Sequence, residues 1–167
     1  MTKVLPFFVM LITCVSAADY SRSEFGRWQD ADRDCQNTRH ELLIEQSTVR
    51  VTLSENGCRA VHGRWISIFT GAVITDASKL DIDHIVPLAW AWERGADAWA
   101  RDKRIQFSND PRNLAAVESS LNRSKGAKGP ESWLPPENQC QYIARFQRVS
   151  MSYGLPVDRE LRARAGC

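Results

Sequence analysis

The sequence predicts a single α+β domain stapled by disulfides, and three observations carry that expectation. The composition is that of a globular protein. Of 167 residues, 43% are hydrophobic and 25% charged, with nine glycines and seven prolines, which excludes disordered, collagen-like and coiled-coil chains. Strand-period and helix-period stretches alternate along the chain, with no Gly/Ser-rich or Pro-rich linker and no solenoid-type repeat between them. Finally, an even set of cysteines follows an export-type leader.

The leader begins with Met1-Thr2-Lys3. An apolar run follows from Val4 to Val15, broken by Pro6 and Thr13, and ends at the small residues Ser16-Ala17-Ala18. This is the pattern of a signal peptide over residues 1–18, cut after Ala17 or Ala18, leaving a domain over residues 19–167. Leu11-Ile12-Thr13-Cys14 leaves a lipoprotein reading open. The run is short for a membrane span and no second one follows, so the expectation is a secreted or periplasmic protein without a span. The formal net charge of +2 excludes a broadly basic nucleic-acid coat. Any polyanion must meet a local basic surface.

Cys35, Cys58, Cys140 and Cys167 remain after the leader. Four cysteines allow three pairings. The pairing Cys35–Cys58 with Cys140–Cys167 is favoured, because it staples the two ends of the domain. Zinc is the competing reading, but there is no C-x-x-C pair and no close Cys/His cluster.

The elements follow in order. Residues 19–29, with Tyr20, Phe25 and Trp28, form an ordered lead-in. Residues 30–47 read as a helix whose start is enriched in Asp30, Asp32 and Asp34, as the helix dipole favours. Leu42, Leu43 and Ile44 are its buried patch. Val49, Val51 and Leu53 alternate as in a strand, and Asn56-Gly57 is a turn signal. Cys58 to Ile68 reads as one or two strands before a turn at Thr70-Gly71. Residues 80–87 form a short apolar strand that carries charges and ends at Pro87. Residues 88–104 are helical in two pieces broken near Gly95. Asn109-Asp110-Pro111 is a turn, Asn113 to Val117 a strand, and Glu118 to Lys125 a short helix ended by Gly126. Trp133-Leu134-Pro135-Pro136 is a packed loop. Residues 138–152 and 157–164 are the last helices.

Charge is uneven along this order. Residues 101–129 carry seven bases against three acids, and residues 141–167 five arginines against two acids. A basic surface in the second half is one reading; the solvated face of ordinary helices is the other.

The chemistry-bearing residues lie between positions 81 and 129. Asp83-His84 sets a carboxylate beside an imidazole, and the two converge on one site only if the strand ends there, since neighbours on a strand face opposite ways. Asn113 and Asn122 follow. Carboxylate and amide oxygens suit a hard divalent ion, and histidine suits general-base work on water.

Asp81-Ile82-Asp83-His84-Ile85-Val86-Pro87-Leu88, then Asn113-Leu114, then Asn122-Arg123-Ser124-Lys125-Gly126 resembles the HNH branch of the His-Me finger (ββα-metal) endonucleases. The central block is also similar to the HNH domain of RNA-guided DNA nucleases. The wider pattern resembles small exported bacterial HNH nucleases, through Phe25-Gly26-Arg27-Trp28, Asp34-Cys35, Gly63-Arg64-Trp65, Thr70-Gly71, Asn109-Asp110-Pro111-Arg112 and Trp133-Leu134-Pro135. These marks span most of the chain after the leader.

The resemblance implies a ββα-metal finger with flanking helices and the hydrolysis of DNA phosphodiester bonds, with RNA left open. It implies that Asp83 and Asn122 hold one divalent metal ion, magnesium first, with manganese and calcium as alternatives. It implies that His84 activates the attacking water and that Asn113 holds the histidine loop. Arg123, Lys125, Arg112 and Lys128 are the candidates for gripping phosphates. Two departures stand out. Asp83 occupies the place of the leading His, which favours hard ions over zinc, and Gly126 stands where many members carry a further metal-binding His. The absence of any added recognition domain points to little sequence preference. Bland readings remain beside these: Asn122 as a helix cap, Asp81 as a supporting or solvent group, His40 and His62 as surface or packing residues, and Trp65, Trp90, Trp92, Trp99 and Trp133 as core, with Trp90 or Trp92 able to line a groove. Two further function classes stay open, a catalytically silent nucleic-acid-binding protein and a secreted or envelope interaction protein.

Overall fold

In the computed structural model, residues 19–167 are described; the expected leader over residues 1–18 lies outside them. The chain opens with a 3-10 turn, Arg22–Phe25, and continues as α1 (Thr38–Gln46), β1 (Thr52–Leu53), β2 (Ala60–Ile66), β3 (Val73–Asp76) and β4 (Leu80–His84). It goes on through α2 (Leu88–Trp92), α3 (Arg101–Asn109), β5 (Leu114–Glu118), α4 (Ser119–Lys125), α5 (Gln139–Ser152) and α6 (Leu161–Arg164). Strands β1, β2 and β3 form an antiparallel sheet in that order, and β4 pairs with β5 in a separate antiparallel ribbon. No helix among the described residues is long and apolar enough to cross a membrane.

The β4–β5 ribbon lies between two cores because strand side chains alternate between its faces. Leu80, Ile82, Leu114 and Ala116 join Leu42, Leu43 and Trp65 on one side. Ala115 and Val117 join Phe25, Phe107, Tyr142 and Phe146 on the other. The ribbon pairs Asp83 with Ala115 and His84 with Leu114. Helix α4 follows β5 directly, so β4, β5 and α4 make a β-β-α unit, with α2 and α3 inserted between its strands. Helix α5 buries Tyr142, Ile143, Phe146, Val149 and Ser150, the spacing of one helical face.

The helix expected over residues 30–47 is shorter than its sequence suggests. It begins at Thr38, where the Asn37 side chain accepts from Arg39 N and caps the first turn. Asp30, Asp32 and Asp34 instead hold a loop, with their carboxylates accepting from Cys35 N, Asp34 N and Gln36 N. Short acidic side chains compete for backbone N–H groups in this way and pull the chain out of a helix. Arg33 and Cys35 take positive φ there. Likewise Val49 is exposed and only Thr52–Leu53 pairs as a strand, while the last helix is confined to Leu161–Arg164. Both disulfides form as expected, Cys35–Cys58 and Cys140–Cys167.

Candidate active site

Strand β4 ends at His84 and the chain turns away at once, so Asp83 and His84 reach one cavity despite being sequence neighbours. That cavity, of about 340 Å³, is lined by Asp83, His84 and Asn122 together with Arg22 and Trp28.

The His84 ring is half-buried and held on two sides. Trp28 stacks on it with ring centroids 5.3 Å apart and planes 5° from parallel. Its Nε2 lies 2.9 Å from the Ser108 carbonyl at the end of α3. A carbonyl only accepts, so Nε2 carries the proton and Nδ1 keeps its lone pair. Burial pushes the imidazole down to about 3, against the Ser108 bond that favours the charged form. The ring is therefore neutral at ordinary pH, with Nδ1 unprotonated.

Asn113 is fully buried behind this histidine. Its Oδ1 accepts from Val86 N at 2.8 Å, and its Nδ2 donates to Val86 O and to Phe107 O. Its own carbonyl accepts from Ile85 N at 2.7 Å. Two successive amides after His84 are thus pinned by one residue, which fixes the histidine loop.

Asp83 is buried, with Lys125 Nζ at 2.9 Å from its Oδ1. The same ammonium donates to His84 O at 2.9 Å. Burial pushes the Asp83 carboxyl up, to about 6, with the Lys125 charge opposing the rise. Burial correspondingly lowers Lys125, and Asp83 opposes that. Asp83 Oδ2 is buried with no hydrogen-bond partner among the described residues. Across the cavity, Asn122 Nδ2 donates to Asp81 Oδ2 at 3.1 Å, so Asn122 Oδ1 remains as an acceptor. Asp81 therefore orients Asn122, the supporting place expected for it. An unpartnered carboxylate oxygen and an amide oxygen on one cavity fit a hard divalent cation. Gly126 ends α4 with φ +54°, beyond the last turn that carries Asn122.

The phosphate-gripping residues expected from sequence fare differently. Lys125 has no exposed surface and its charge is used by Asp83, so it does not face a substrate; a lysine three residues after Asn122 points back under the strand end. Arg112 is exposed but paired with Asp110, Nη2 to Oδ2 at 2.6 Å, and borders a different cavity with Arg145 and Arg148. Arg123 borders a neighbouring depression with Asp81 and Glu118, and Lys128 donates to Ser124 O at the exposed end of α4. Neither lines the cavity of His84. Trp90 and Trp92 are both buried in the core, so neither lines the groove. Trp28 and Arg22 also line the cavity of His84, and no sequence signal assigns either a functional role. Trp28 was legible as part of Phe25-Gly26-Arg27-Trp28, but nothing local says that it meets a histidine 56 positions on.

Comparison with known proteins agrees with this architecture. A family model described as the C-terminal domain of GmrSD restriction endonucleases matches residues 30–160. An uncharacterized secreted protein of the fungus Arthroderma benhamiae is 41% identical over 143 residues, covering 83% of this chain and 68% of that protein. No solved structure matches the chain. With the Asp83-His84 strand end, the β-β-α unit and this match over most of its length, the chain belongs to the family of GmrSD restriction endonuclease C-terminal domains, an HNH-type nuclease domain.

Proposed function

We propose that this protein is an exported, metal-dependent endonuclease that hydrolyses DNA phosphodiester bonds with little sequence preference. The observation that carries the reading is the single cavity onto which Asp83, His84 and Asn122 open, with Asn113 fixing the loop behind it. Export is supported by the leader pattern, by two disulfides and by the description of the fungal relative as secreted.

In this reading His84 enters the reaction neutral, its Nε2 proton committed to Ser108 O. Nδ1 takes the proton of the attacking water as the water oxygen bonds to phosphorus and the opposite phosphorus–oxygen bond breaks. Trp28 and Ser108 hold the ring, and Asn113 holds its backbone, so little motion is needed to reach the attacking geometry. Asp83 and Asn122 would hold the divalent ion, magnesium before manganese or calcium, which supplies charge stabilisation at the phosphate and the leaving oxygen.

The test uses oxidised protein and supercoiled plasmid with magnesium, manganese, calcium or EDTA, each beside His84→Ala. The expected result is nicking in at least one metal, abolished by EDTA and by the substitution. Intact plasmid in every metal, from protein shown to be folded, would overturn the reading.

A further inference from the structure

We propose that Arg22, in the lead-in segment before the family-matched region, is the residue that grips the substrate phosphate at this site. The proposal rests on the nuclease reading above. Among the described residues, Arg22 is the one Lys or Arg side chain that lines the cavity with Asp83, His84 and Asn122. The charges of Asp83 and Lys125 are spent on each other, so that pair leaves no free cation for a phosphodiester. Beside the ion that Asp83 and Asn122 would hold, a phosphate entering here meets Arg22 as the one protein cation on the cavity wall among the described residues.

Arg22 is free to bind it. Its guanidinium lies over the Trp28 ring, 5.8 Å from the centroid, and Trp28 in turn stacks on His84. A guanidinium held over a ring face makes that contact without using its N–H donors. Among the described residues the Arg22 guanidinium makes no hydrogen bond or ion pair. A planar fork of N–H donors matches two oxygens of a phosphate.

The segment is also held in place. Glu24 pairs with Arg104 of α3 at 2.9 Å. Ser108 Oγ donates to Phe25 O at 2.6 Å, and Asn109 Nδ2 donates to Arg27 O at 3.3 Å. Phe25 is fully buried. The end of α3 therefore anchors both the Arg22 segment and, through Ser108 O, the His84 ring. Their spacing is set by one rigid element. Residues 20–28 lie outside the region matched by the family model, which begins at residue 30, so the match does not account for this arginine.

The experiment measures binding of a fluorescent DNA duplex, across a salt series, to His84→Ala protein with Arg22 intact or changed to Ala, Gln or Lys. Plasmid nicking by the same Arg22 variants in the wild-type background, and their Tm, are read alongside. Arg22→Ala and Arg22→Gln should weaken binding about tenfold to a hundredfold. They should flatten the slope of log affinity against log salt by about 0.9, the loss of one phosphate contact on duplex. Arg22→Lys should keep most of the slope but recover only part of the affinity. Nicking should fall in parallel at unchanged Tm.

Arg22 variants that nick and bind as the wild type does, with the same salt slope, overturn the assignment alone. A lower Tm with affinity and slope unchanged overturns it in favour of packing on Trp28. A wild-type protein that neither binds nor nicks DNA overturns the nuclease reading, and the role of Arg22 falls with it.

Discussion

Replacing Lys125 with methionine removes the cation from a buried ion pair while keeping the volume of the side chain. The Lys125 side chain is 0% exposed and that of Asp83 6%, so water cannot take over the lost interaction. Removing one partner from such a pair costs about 3–5 kcal/mol, because the other charge stays buried and uncompensated. For a domain of this size that lowers Tm by on the order of 10 °C. The cost has a pH signature. Asp83 is already raised to about 6 by burial against the opposing Lys125 charge, and without Lys125 it rises further. A carboxyl raised above its unfolded value binds its proton first in the folded state, so the folded state gains on the unfolded one as pH falls. The gap between Lys125→Met and wild type should therefore be wide above the variant's raised Asp83 value, narrow as pH falls toward about 6, and change little below it. Urea unfolding in EDTA at pH 5 and pH 7.5 measures it. Adding Asp83→Asn should return much of the loss, since the orphaned charge is gone. A Lys125→Met protein within about 1 kcal/mol of wild type at both pH values would refute the reasoning.

Further outcomes follow from the same geometry. Asn113→Ala orphans the buried Val86 N–H that Oδ1 now accepts, so it should cost about 1–3 kcal/mol in chemical unfolding and reduce nicking through a loosened histidine loop. Trp28→Ala removes the stack on His84 and should lower kcat more than it raises KM, whereas Trp28→Phe should restore most of it; equal kcat for all three proteins would remove Trp28 from the site. Opening Cys140–Cys167 by a double serine substitution frees a loop with a sequence separation of 27 and should cost about 3.5 kcal/mol, read as a lower Tm. Burial alone would raise Asp110, but bonds from Arg112 and Tyr153 hold it below its usual value. Its contribution is then present above the unfolded pKa and lost as pH falls through the folded one. The destabilisation by Asp110→Asn, measured by urea unfolding, should therefore shrink in acid.

The central unit was readable in the sequence because its signals are local. The apolar run ending at Pro87 marks a strand end, and the strand does stop at His84. Gly126 marks the end of the helix carrying Asn122, and it takes the positive φ that favours glycine. The disulfide pairing followed from which cysteines sit near which ends of the domain. Local signals mislead where one rule meets a competing one. Asp30, Asp32 and Asp34 suit a helix start by charge, yet each bonds a backbone N–H just ahead of it more readily in a loop. Lys125 suits a phosphate by charge and by nearness to Asn122, yet the strand end beneath α4 offers it Asp83 and the His84 carbonyl instead.

What the sequence determined by itself is the set of candidate site residues and the local elements that carry them: Asp83 and His84 at a strand end, Asn113 at a turn and Asn122 on a short helix. Each depends on neighbours within a few residues, where hydrogen bonding, φ preference and side-chain period act. Only the tertiary structure decided which charges are spent inside the protein and which are left for a substrate. Lys125 is consumed 42 positions from its partner, and Trp28 meets His84 across a gap closed by α3. A charge reaches solvent or a carboxylate according to how distant elements pack, and burial sets its cost. No spacing rule along the chain carries that information.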